Sequence, residues 1–433
     1  MNSFTNIYMM SFMRMFYSFF IYAYTCCIGV AALFNDKAAL WISGRKDWKM
    51  KLKQIDTGGL PVYWFHCASL GEFEQARPLL EKIKMEHTCK IVLTFFSPSG
   101  FEIRKNYASA DVVMYLPADT ISNASYFIAH LKPKAAFFIK YEFWFNFLWV
   151  LRQNQIPVFL VSGIFRESQH FFKWYGKWFA NQLAAFDYFF VQNDKSMQLL
   201  KRLQYNNVTI AGDTRFDRVV EVMNKQKTYD LVDVFTSNAI VCVAGSTYLE
   251  DEQLLKVLLE ASQQSNMQYN FKLIIAPHHV TAERLDEIEK KFQQFPCIRY
   301  STLLEQDQTK QVLLIDNIGM LSSLYAYADF AYIGGGFGKG IHNTLEAAVF
   351  GIPVLIGKNY HKFDEAKALI SEKAAFVMED EKDVIETGMR LISDEEFRKF
   401  AGERAANYVA TNKGAVDNIM KQLNDCTVIF KTA

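Results

Sequence analysis

The sequence lacks the residue patterns that most often bind a metal ion. No Asp-x-Asp pair occurs in its 433 residues, so the carboxylates that usually hold a metal–diphosphate complex are missing. The seven cysteines are scattered and odd in number, and none belongs to a Cys-x-x-Cys pair or a Cys/His cluster. These absences predict a metal-independent site and reduced thiols in a cytoplasmic compartment.

The chain also has little excess charge of either sign, but its two halves differ. The formal net charge is +1, yet residues 1–235 hold 27 Lys and Arg against 19 Asp and Glu, and the remainder holds 20 against 27. A basic first half suits an anionic partner. The mildly acidic second half argues against general nucleic-acid binding, so no nucleic-acid partner is expected.

One long hydrophobic run is present near the N-terminus. Residues 15–34 are twenty residues without a charge, about the length that crosses the hydrocarbon core of a bilayer. Basic residues follow from Lys37 to Lys53, and by the positive-inside rule they hold the next domain in the cytoplasm. Length and aromatic content favour a membrane anchor at residues 1–36 over a cleaved signal peptide. Because Arg14 interrupts the apolar run, a helix lying in the membrane surface is the alternative to a spanning one.

Beyond residue 60, short apolar runs alternate with helical patterns. Such alternation predicts parallel sheets covered by helices on both faces. The runs that indicate buried strands are 62–68, 90–96, 112–116, 135–139, 157–161, 188–192 and 208–211 in the first half, then 240–244, 272–276, 312–315, 330–333, 353–356 and 375–378.

The expected architecture is α/β, with two doubly wound, Rossmann-like domains facing a central cleft. A chain of 433 residues is too long for one small core. The polar stretch 224–238 is the predicted linker, which gives an N-terminal domain at 37–230 and a C-terminal domain at 231–433. Ligands of such sheets bind at the carboxyl ends of the strands.

A glycine-rich loop follows one of these runs. Five glycines fall within residues 334–340, directly after the strand predicted at 330–333. Asn343 is suited to cap the next helix, and Glu346, three residues on, suggests a capping box. A glycine loop joined to a helix N-terminus predicts an anion site, because the backbone can approach a phosphate there. The alternative is a tight loop with an ordinary cap.

Three charged residues of the first half follow predicted strands. Glu72 lies at the start of a helix, where the dipole keeps a carboxylate ionised and ready to accept a proton. Glu142 lies among aromatics, where a carboxylate is costly unless it has a partner. Arg215 is a candidate cation near developing charge. A plain helix cap at Glu72, and a salt bridge from Arg215 to Asp213 or Asp217, are the structural alternatives.

Polar loops also follow strands in the second half. They comprise residues 244–247, Pro277 with His278 and His279, and residues 317–320. Together with the glycine loop they are expected to surround one pocket. A lone histidine after a strand usually has a structural role. Two histidines beside a candidate phosphate site favour a role in binding the phosphate.

Taken in order, these motifs resemble the 3-deoxy-D-manno-oct-2-ulosonic acid (Kdo) transferases of Gram-negative lipopolysaccharide synthesis. In the first half the family's Ser-Val-Gly-Glu loop matches residues 69–72. Its Glu-Thr-Glu-Leu-Trp-Pro-Asn motif matches 140–146, with the second Glu on Glu142. Its Gly-Asn-Leu-Lys-Phe-Asp motif matches 212–217.

In the second half, Pro-Arg-His matches 277–279, Met-Gly-Glu matches 318–320, and Gly-Gly-His-Asn-Pro-Leu-Glu matches 340–346. The chain departs from the family at three positions. His278 stands where the family has Arg, Arg215 where it has Lys, and Met320 where it has Glu.

The resemblance implies an inverting, metal-independent glycosyltransferase of the GT-B type that needs no cofactor. Its donor would be CMP-Kdo and its acceptor a lipid A precursor. It would work at the anionic surface of the bacterial inner membrane, with the catalytic domains on the cytoplasmic side. The implied catalytic residues are Glu72 as proton acceptor, Glu142, and Arg215 as transition-state cation. The implied CMP-contacting residues are Pro277, His278, Ile318, Gly319, Met320, Asn343, Thr344, Leu345 and Glu346.

Two other classes of function remain open from the sequence. One is another GT-B enzyme, such as a UDP-sugar transferase or a sugar-nucleotide 2-epimerase. The other is a non-catalytic, membrane-bound scaffold that kept the nucleotide pocket. The aromatic and basic segment 170–179 is similarly open, since its pattern fits an interfacial helix or a helix buried in the domain.

Overall fold

The structure is a computed structural model that describes the backbone of residues 2–264 and 269–426, and the side chains of residues 12–264 and 269–425. The described strands all pair in parallel. They are β1 (Val62–Cys67), β2 (Lys90–Phe95), β3 (Val112–Tyr115), β4 (Ala135–Ile139), β5 (Val158–Gly163), β6 (Tyr188–Val191), β7 (Val208–Ile210), β8 (Ile240–Thr247), β9 (Phe271–Pro277), β10 (Cys297–Arg299), β11 (Val312–Leu314), β12 (Phe330–Ile333), β13 (Val354–Gly357) and β14 (Ala375–Met378).

Helices precede the first strand and alternate with most of the others. They are α1 (Asn2–Ala31), α2 (Asp36–Ser43), α3 (Trp48–Lys53), α4 (Leu70–Glu86), α5 (Pro98–Arg104), α6 (Ile121–Leu131), α7 (Phe145–Gln153), α8 (Lys177–Gln182), α9 (Asp194–Arg202), α10 (Thr214–Asn224), α11 (Asp230–Thr236), α12 (Leu249–Gln264), α13 (Ala282–Lys291), α14 (Leu321–Leu324), α15 (Leu345–Ala348), α16 (Asp364–Ser371), α17 (Glu381–Ser393), α18 (Glu395–Asn412) and α19 (Ala415–Cys426).

Each of the two sheets has seven strands and is doubly wound. The first runs β3-β2-β1-β4-β5-β6-β7 and the second β10-β11-β9-β8-β12-β13-β14. Every residue of β1, β4 and β9 is buried, as the continuous apolar runs predicted. The predicted fold class, α/β with two doubly wound parallel sheets, is therefore confirmed.

Two segments differ from the sequence prediction. The edge strand β10 was not predicted, because its three residues are only partly buried and have no apolar run. The stretch 224–238, predicted as a plain linker, contains helix α11. Val232 and Phe235 of that helix are buried, so the stretch belongs to a packed unit.

Internal contacts divide the chain into two units. One comprises residues 1–218 together with 414–433, and the other comprises residues 219–413. The sequence division at residue 230 did not anticipate that the C-terminal helix belongs with the first unit. Ile419 and Leu423 of α19 are fully buried in the same core as Phe73 of α4. Asp217 accepts hydrogen bonds from the backbone N–H groups of Gly414 (2.8 Å) and Val416 (3.4 Å), which fixes the start of α19.

Helix α1 packs one side against the first unit and exposes the other. The Tyr17 hydroxyl donates to Asp119 Oδ2 at 2.6 Å, and the Arg14 guanidinium lies 4.2 Å from the ring centre of Trp149. Residues Phe12–Ala31 are long and apolar enough to cross a membrane, a property also found in signal sequences and in core helices. The exposed large apolar residues of this stretch are Phe12, Met15, Phe16, Phe19, Phe20, Tyr22, Tyr24 and Val30.

The segment 170–179 has some side chains buried in the domain and others at the surface, so it combines the two environments considered from the sequence. A 3₁₀ turn at His170–Phe172 and the start of α8 bury Phe171 and Trp178. Between them Trp174 is 94% exposed. The segment is thus partly core and partly surface, because a turn rather than one continuous helix joins its two ends.

Candidate functional site

Glu72 stands where the strand order of the first sheet reverses. The order changes direction between β1 and β4, and ligands of doubly wound sheets bind at such points. Helix α4 begins directly after β1 and carries Glu72 in its first turn. The Ser69 hydroxyl donates a hydrogen bond to Glu72 Oε2, which orients the half-buried carboxylate. Its position in the first turn places the carboxylate near the positive end of the helix dipole.

Glu142 follows β4, the strand beside β1, and has polar partners. Trp144 Nε1 donates to Glu142 Oε2 at 2.7 Å and lies 2.8 Å from His66 Nε2. His66 Nε2 lies 3.4 Å from the same carboxylate oxygen. These contacts offset the cost of placing a carboxylate among aromatics. His66 is fully buried, and its Nδ1 lies 2.9 Å from Thr94 Oγ1.

The pKa of the thiol of Cys67, the last residue of β1, is affected by the charges of both Glu72 and Glu142. Burial raises the pKa of Cys67 well above its ordinary value, and the charges of Glu72 and Glu142 raise it further. The thiol is therefore protonated and unsuited to act as a nucleophile. Glu72 follows β1 and Glu142 follows β4, and because these parallel strands are neighbours both residues come after strand ends at the same edge of the sheet.

Arg215 has a carboxylate partner. Its Nη2 lies 2.7 Å from Asp213 Oδ2, which is one of the two structural alternatives considered from the sequence. Gln75 of α4 donates to Asp213 Oδ1 at 3.1 Å. The pair is thereby tied to the helix that carries Glu72, which fixes the position of the guanidinium.

A cavity of about 350 Å³ adjoins Glu142 within the first unit. Aromatic side chains form most of its wall, and Glu142 supplies the only carboxylate among its described lining residues. Such a wall suits an apolar or sugar-ring surface with one polar contact. The lining residues are Tyr17, Tyr141, Glu142, Phe143, Trp144, Phe145, Gln169, His170, Phe171 and Phe179.

In the second sheet the strand order reverses between β8 and β12, and the glycine loop follows β12. A Cβ at Gly336 would lie 2.4 Å from the Cα of Gly357, at the end of β13. A Cβ at Gly334 would lie 2.3 Å from the backbone oxygen of Ser246. These two glycines are required because the loop crosses directly over the ends of neighbouring strands.

Asp251, which was not among the predicted site residues, holds this loop. Its Oδ2 accepts from the backbone N–H groups of Gly335 and Tyr248, both at 2.9 Å. Its Oδ1 accepts from the Tyr332 hydroxyl at 2.8 Å. Asp251 is 1% exposed, and burial raises its pKa. In the sequence it is one of three acids at the start of α12, so nothing local separates it from an ordinary helix cap.

The glycine loop is more closed than the predicted phosphate cradle. Backbone N–H groups of Gly338 and Gly340 donate to Gly335 O, and that of His342 donates to Gly334 O. With Gly335 bonded to Asp251, four loop N–H groups are already engaged. An anion at this strand end is thus expected to contact the residues after the loop rather than these four groups.

The prediction that Asn343 is the N-cap of a capping box was wrong. Helix α15 starts one residue later, with Thr344 at its N-cap. Asn343 Oδ1 instead accepts from Leu345 N at 3.2 Å, and its amide donates to Glu346 Oε1 at 3.0 Å. Thr344 Oγ1 is buried and has no hydrogen-bond partner among the described residues.

The imidazole rings of His278, His279 and His342 lie close together beside the glycine loop. The ring centres of His278 and His342 are 4.5 Å apart, and those of His278 and His279 are 4.6 Å apart. Tyr248 stacks on His278 at 5.0 Å, and its hydroxyl lies 3.3 Å from His342 Nε2. Burial, then the nearby His278, lowers the pKa of His342 to about 4. His342 and Tyr248 were not among the predicted site residues.

Three other parts of the predicted donor site, namely Pro277, the turn at Ile318 and Gly319, and Met320, lie in different environments. Pro277 ends β9 and pairs in register with Thr247 of β8, next to the imidazoles. Ile318 is 90% exposed and Gly319 has φ +99°, so this turn is open to solvent. Met320 is buried at the start of α14. Its side chain fills the core, whereas a carboxylate at this position would need a partner.

We expect donor binding to depend on pH through His278. Burial, then the nearby His279, lowers the pKa of His278, so the free site holds a neutral ring near pH 7. A bound phosphate favours the charged form and raises that pKa. Affinity for CMP should therefore fall as pH rises from the lowered pKa of His278 in the free site to its raised pKa in the complex, and then level off.

Titration calorimetry with CMP from about pH 5 to about pH 8.5 measures this dependence. Proton uptake should accompany binding at the acid end. His278→Arg should flatten the profile, because guanidinium keeps its charge throughout. A dissociation constant that is constant over the whole range in the unmodified protein would show that His278 is not the counter-charge.

Comparisons with known proteins agree with the motifs. Residues 46–218 match the family described as 3-deoxy-D-manno-octulosonic-acid transferase (kdotransferase). The chain is 28% identical to the 3-deoxy-D-manno-octulosonic acid transferase of Aquifex aeolicus, with 76% of this chain and 86% of the relative covered. It is 26% identical to that of Haemophilus influenzae, with 83% and 86% covered.

A solved structure, UDP-GlcNAc 2-epimerase from Neisseria meningitidis bound to UDP-GlcNAc, superimposes with a TM-score of 0.56 at 16% identity. The match covers 84% of this chain and 100% of that one. At this identity the likeness shows the fold alone, whereas the sequence matches above concern one family. The resemblance read from the motifs is thereby confirmed: the chain is similar to 3-deoxy-D-manno-octulosonic acid transferases over most of its length.

Proposed function

We propose that this protein transfers Kdo from CMP-Kdo to the lipid A precursor lipid IVA, with inversion at the anomeric carbon and release of CMP. The observation that carries the proposal is the placement of Glu72. It stands in the first turn of α4, oriented by Ser69, at the point where the first sheet reverses its strand order. A carboxylate held in this way is suited to accept a proton.

In the proposed reaction, Glu72 takes the proton of a primary hydroxyl on the acceptor sugar. The hydroxyl oxygen forms the new bond to the anomeric carbon of Kdo as the bond to the CMP phosphate breaks. CMP leaves with the bonding electron pair. The carboxylate of Glu142 stabilises the positive charge that develops on the sugar ring, and Arg215 stabilises developing negative charge.

The donor would bind at the strand ends of the second sheet. Pro277 and His278 come from the end of β9, Ile318 to Met320 from the turn before α14, and Asn343 to Glu346 from the start of α15. Helix α15 has only four residues, so its dipole is smaller than the sequence suggested. The unpartnered hydroxyl of Thr344 and the imidazole of His278 are therefore the proposed phosphate contacts.

The proposed location is the cytoplasmic side of the bacterial inner membrane. Helix α1 exposes an apolar side, and the basic residues from Lys37 to Lys53 follow it. Apolar insertion and attraction to anionic lipids together suit an enzyme whose acceptor lies in the bilayer surface.

Mass spectrometry of the product from CMP-Kdo and lipid IVA tests this function. We expect lipid IVA to gain the mass of one or more Kdo residues, and CMP to be released only when lipid is present. Release of CMP without any change in the lipid would reject the transfer. An epimerase would alter a UDP-sugar without requiring lipid, so a parallel incubation with UDP-GlcNAc separates the two activities.

Activity is expected to persist in excess EDTA. The sequence has no Asp-x-Asp, and no group of three His, Cys, Asp or Glu side chains among the described residues is arranged to hold a metal ion. The leaving CMP carries a single phosphate, which a protein cation and a hydroxyl can hold. Loss of transfer on chelation, with recovery on addition of Mg²⁺ or Mn²⁺, would contradict the prediction.

A further inference from the structure

An apolar slot of about 230 Å³ lies between α1 and α8, within the first unit. Its walls are aromatic and aliphatic side chains that offer no charge, and because Phe16 and Phe20 are exposed the slot opens to the surface. The lining residues are Phe12, Met13, Phe16, Tyr17, Phe20, Trp178 and Phe179. The Tyr17 hydroxyl is engaged with Asp119 at 2.6 Å, so it does not make the slot polar. A surface slot with apolar walls of this kind suits a hydrocarbon chain, whose burial there removes apolar area from water.

The slot adjoins the Glu142 cavity. Tyr17 and Phe179 line both spaces, so two side chains form a common wall between the hydrocarbon-like slot and the cavity that contains the carboxylate. A ligand that occupied both would have an apolar tail and a polar head. The head would lie beside Glu142 and therefore at the strand end where the first sheet reverses its order.

A third cavity, of about 530 Å³, lies on the other side of the same segment. It shares Phe171 with the Glu142 cavity. Lys173, Lys177 and Arg202 line it, and no carboxylate is among its described lining residues. Three cations without an acid favour an anionic group such as a phosphate. The three cavities together therefore match a ligand with an acyl chain, sugar hydroxyls and a phosphate.

Trp178 lines the slot and carries a buried indole N–H. The side chain is 93% buried, given its 7% exposure, and its Nε1 has no hydrogen-bond partner among the described residues. A buried N–H without an acceptor is costly, so a ligand that supplies one gains affinity. The ester or amide carbonyl of an acyl chain is an acceptor attached to a hydrocarbon tail.

We propose that this slot binds one acyl chain of the lipid acceptor and thereby places its sugar hydroxyl beside the catalytic carboxylates. The inference rests on the proposed function, because it names the part of the acceptor that the first unit holds. Bilayer phospholipid is the less favoured occupant, since it would not account for the common wall with the Glu142 cavity.

The first experiment measures transfer to a series of acceptors that differ in acyl length, each kept below its micelle-forming concentration. Under these conditions the chain leaves water, and each methylene removed should lower kcat/KM about fourfold while it still reaches the slot. Phe16→Trp should partly fill the slot, raise KM for long-chain acceptors and flatten the length dependence. A fully deacylated acceptor should react equally well with the variant and the unmodified protein.

Phe19→Trp is the matched control. Phe19 is on the same helix and 65% exposed, but it does not line the slot. It should leave the length dependence unchanged. An equal length dependence in Phe16→Trp and the unmodified protein would overturn the proposal. So would a Phe16→Trp variant that binds phospholipid vesicles less tightly yet keeps the full length dependence, because bilayer lipid would then fill the slot.

A binding measurement separates failure of the slot from failure of the proposed function. Acceptors brominated along the acyl chain should quench tryptophan fluorescence, and Trp178→Phe should remove the quenched component. Quenching that is unchanged by Trp178→Phe would contradict the slot whether or not transfer occurs. Chain-specific quenching without transfer to any acceptor would support the slot as a lipid site and reject the proposed transfer.

Discussion

Glu72→Gln is expected to lower the rate of Kdo transfer by about 10²–10⁴-fold, the contribution typical of a general base. Glutamine keeps the shape of the side chain, and its amide oxygen can still accept from the Ser69 hydroxyl. It cannot take a proton at neutral pH. Since Glu72 lies in the first unit and CMP is proposed to bind in the second, the affinity for CMP should change little.

Single-turnover measurements with labelled CMP-Kdo report the rate, and calorimetry reports the binding of CMP. Glu86→Gln is the matched control, because Glu86 lies at the far end of the same helix and is exposed. Its rate should equal that of the unmodified protein. Near-normal turnover in purified Glu72→Gln would reject Glu72 as the base.

Asp251→Ala is expected to weaken CMP binding by more than about tenfold and to destabilise the second unit. The substitution leaves the N–H groups of Gly335 and Tyr248 and the hydroxyl of Tyr332 without their acceptor. Each unsatisfied buried donor costs about 1–3 kcal/mol, so for three donors the free energy of unfolding should fall by at least about 3 kcal/mol. Without this anchor the glycine loop no longer holds its position over the strand ends.

Asp251→Asn should lose much less CMP affinity and much less stability than Asp251→Ala. Its amide oxygen can still accept hydrogen bonds from both backbone N–H groups. Asp364→Ala removes an exposed acid of the same unit and should leave thermal unfolding and CMP binding unchanged. Thermal denaturation and calorimetry on all three variants test the expectation. Equal behaviour of Asp251→Ala and Asp364→Ala would show that the loop does not depend on Asp251.

The positions of the strands were predicted well from the sequence, because the apolar pattern that indicates a strand is local. Thirteen of the fourteen described strands correspond to apolar runs of four to seven residues in the sequence, and β10 alone has no such run. Glu72 was placed at a helix start by the residues immediately around it, and α4 does start there. The roles of Glu72, Glu142, Arg215 and the donor-contacting residues stay predictions.

The partners of these residues could not be predicted in the same way. His66 and Trp144 are 78 positions apart, Asp251 and Gly335 are 84 apart, and Asp217 and Gly414 are 197 apart. Periodicity is measured over windows of about 11–18 residues, so it carries no information on such pairs. The error in the cap at Asn343 has the same origin, since the start of α15 depends on how the glycine loop returns over β13.

The amino-acid sequence by itself determined the two doubly wound sheets, the glycine loop and the order of the motifs, because strand and helix periods and the absence of a glycine side chain act over a few residues. The tertiary structure alone decided that Asp251 braces the glycine loop, that α19 packs with the first unit, and that α1 and α8 enclose an apolar slot. Each of these depends on burial and hydrogen bonding between segments far apart in the chain, which are set only when the sheets have formed and brought those segments into contact.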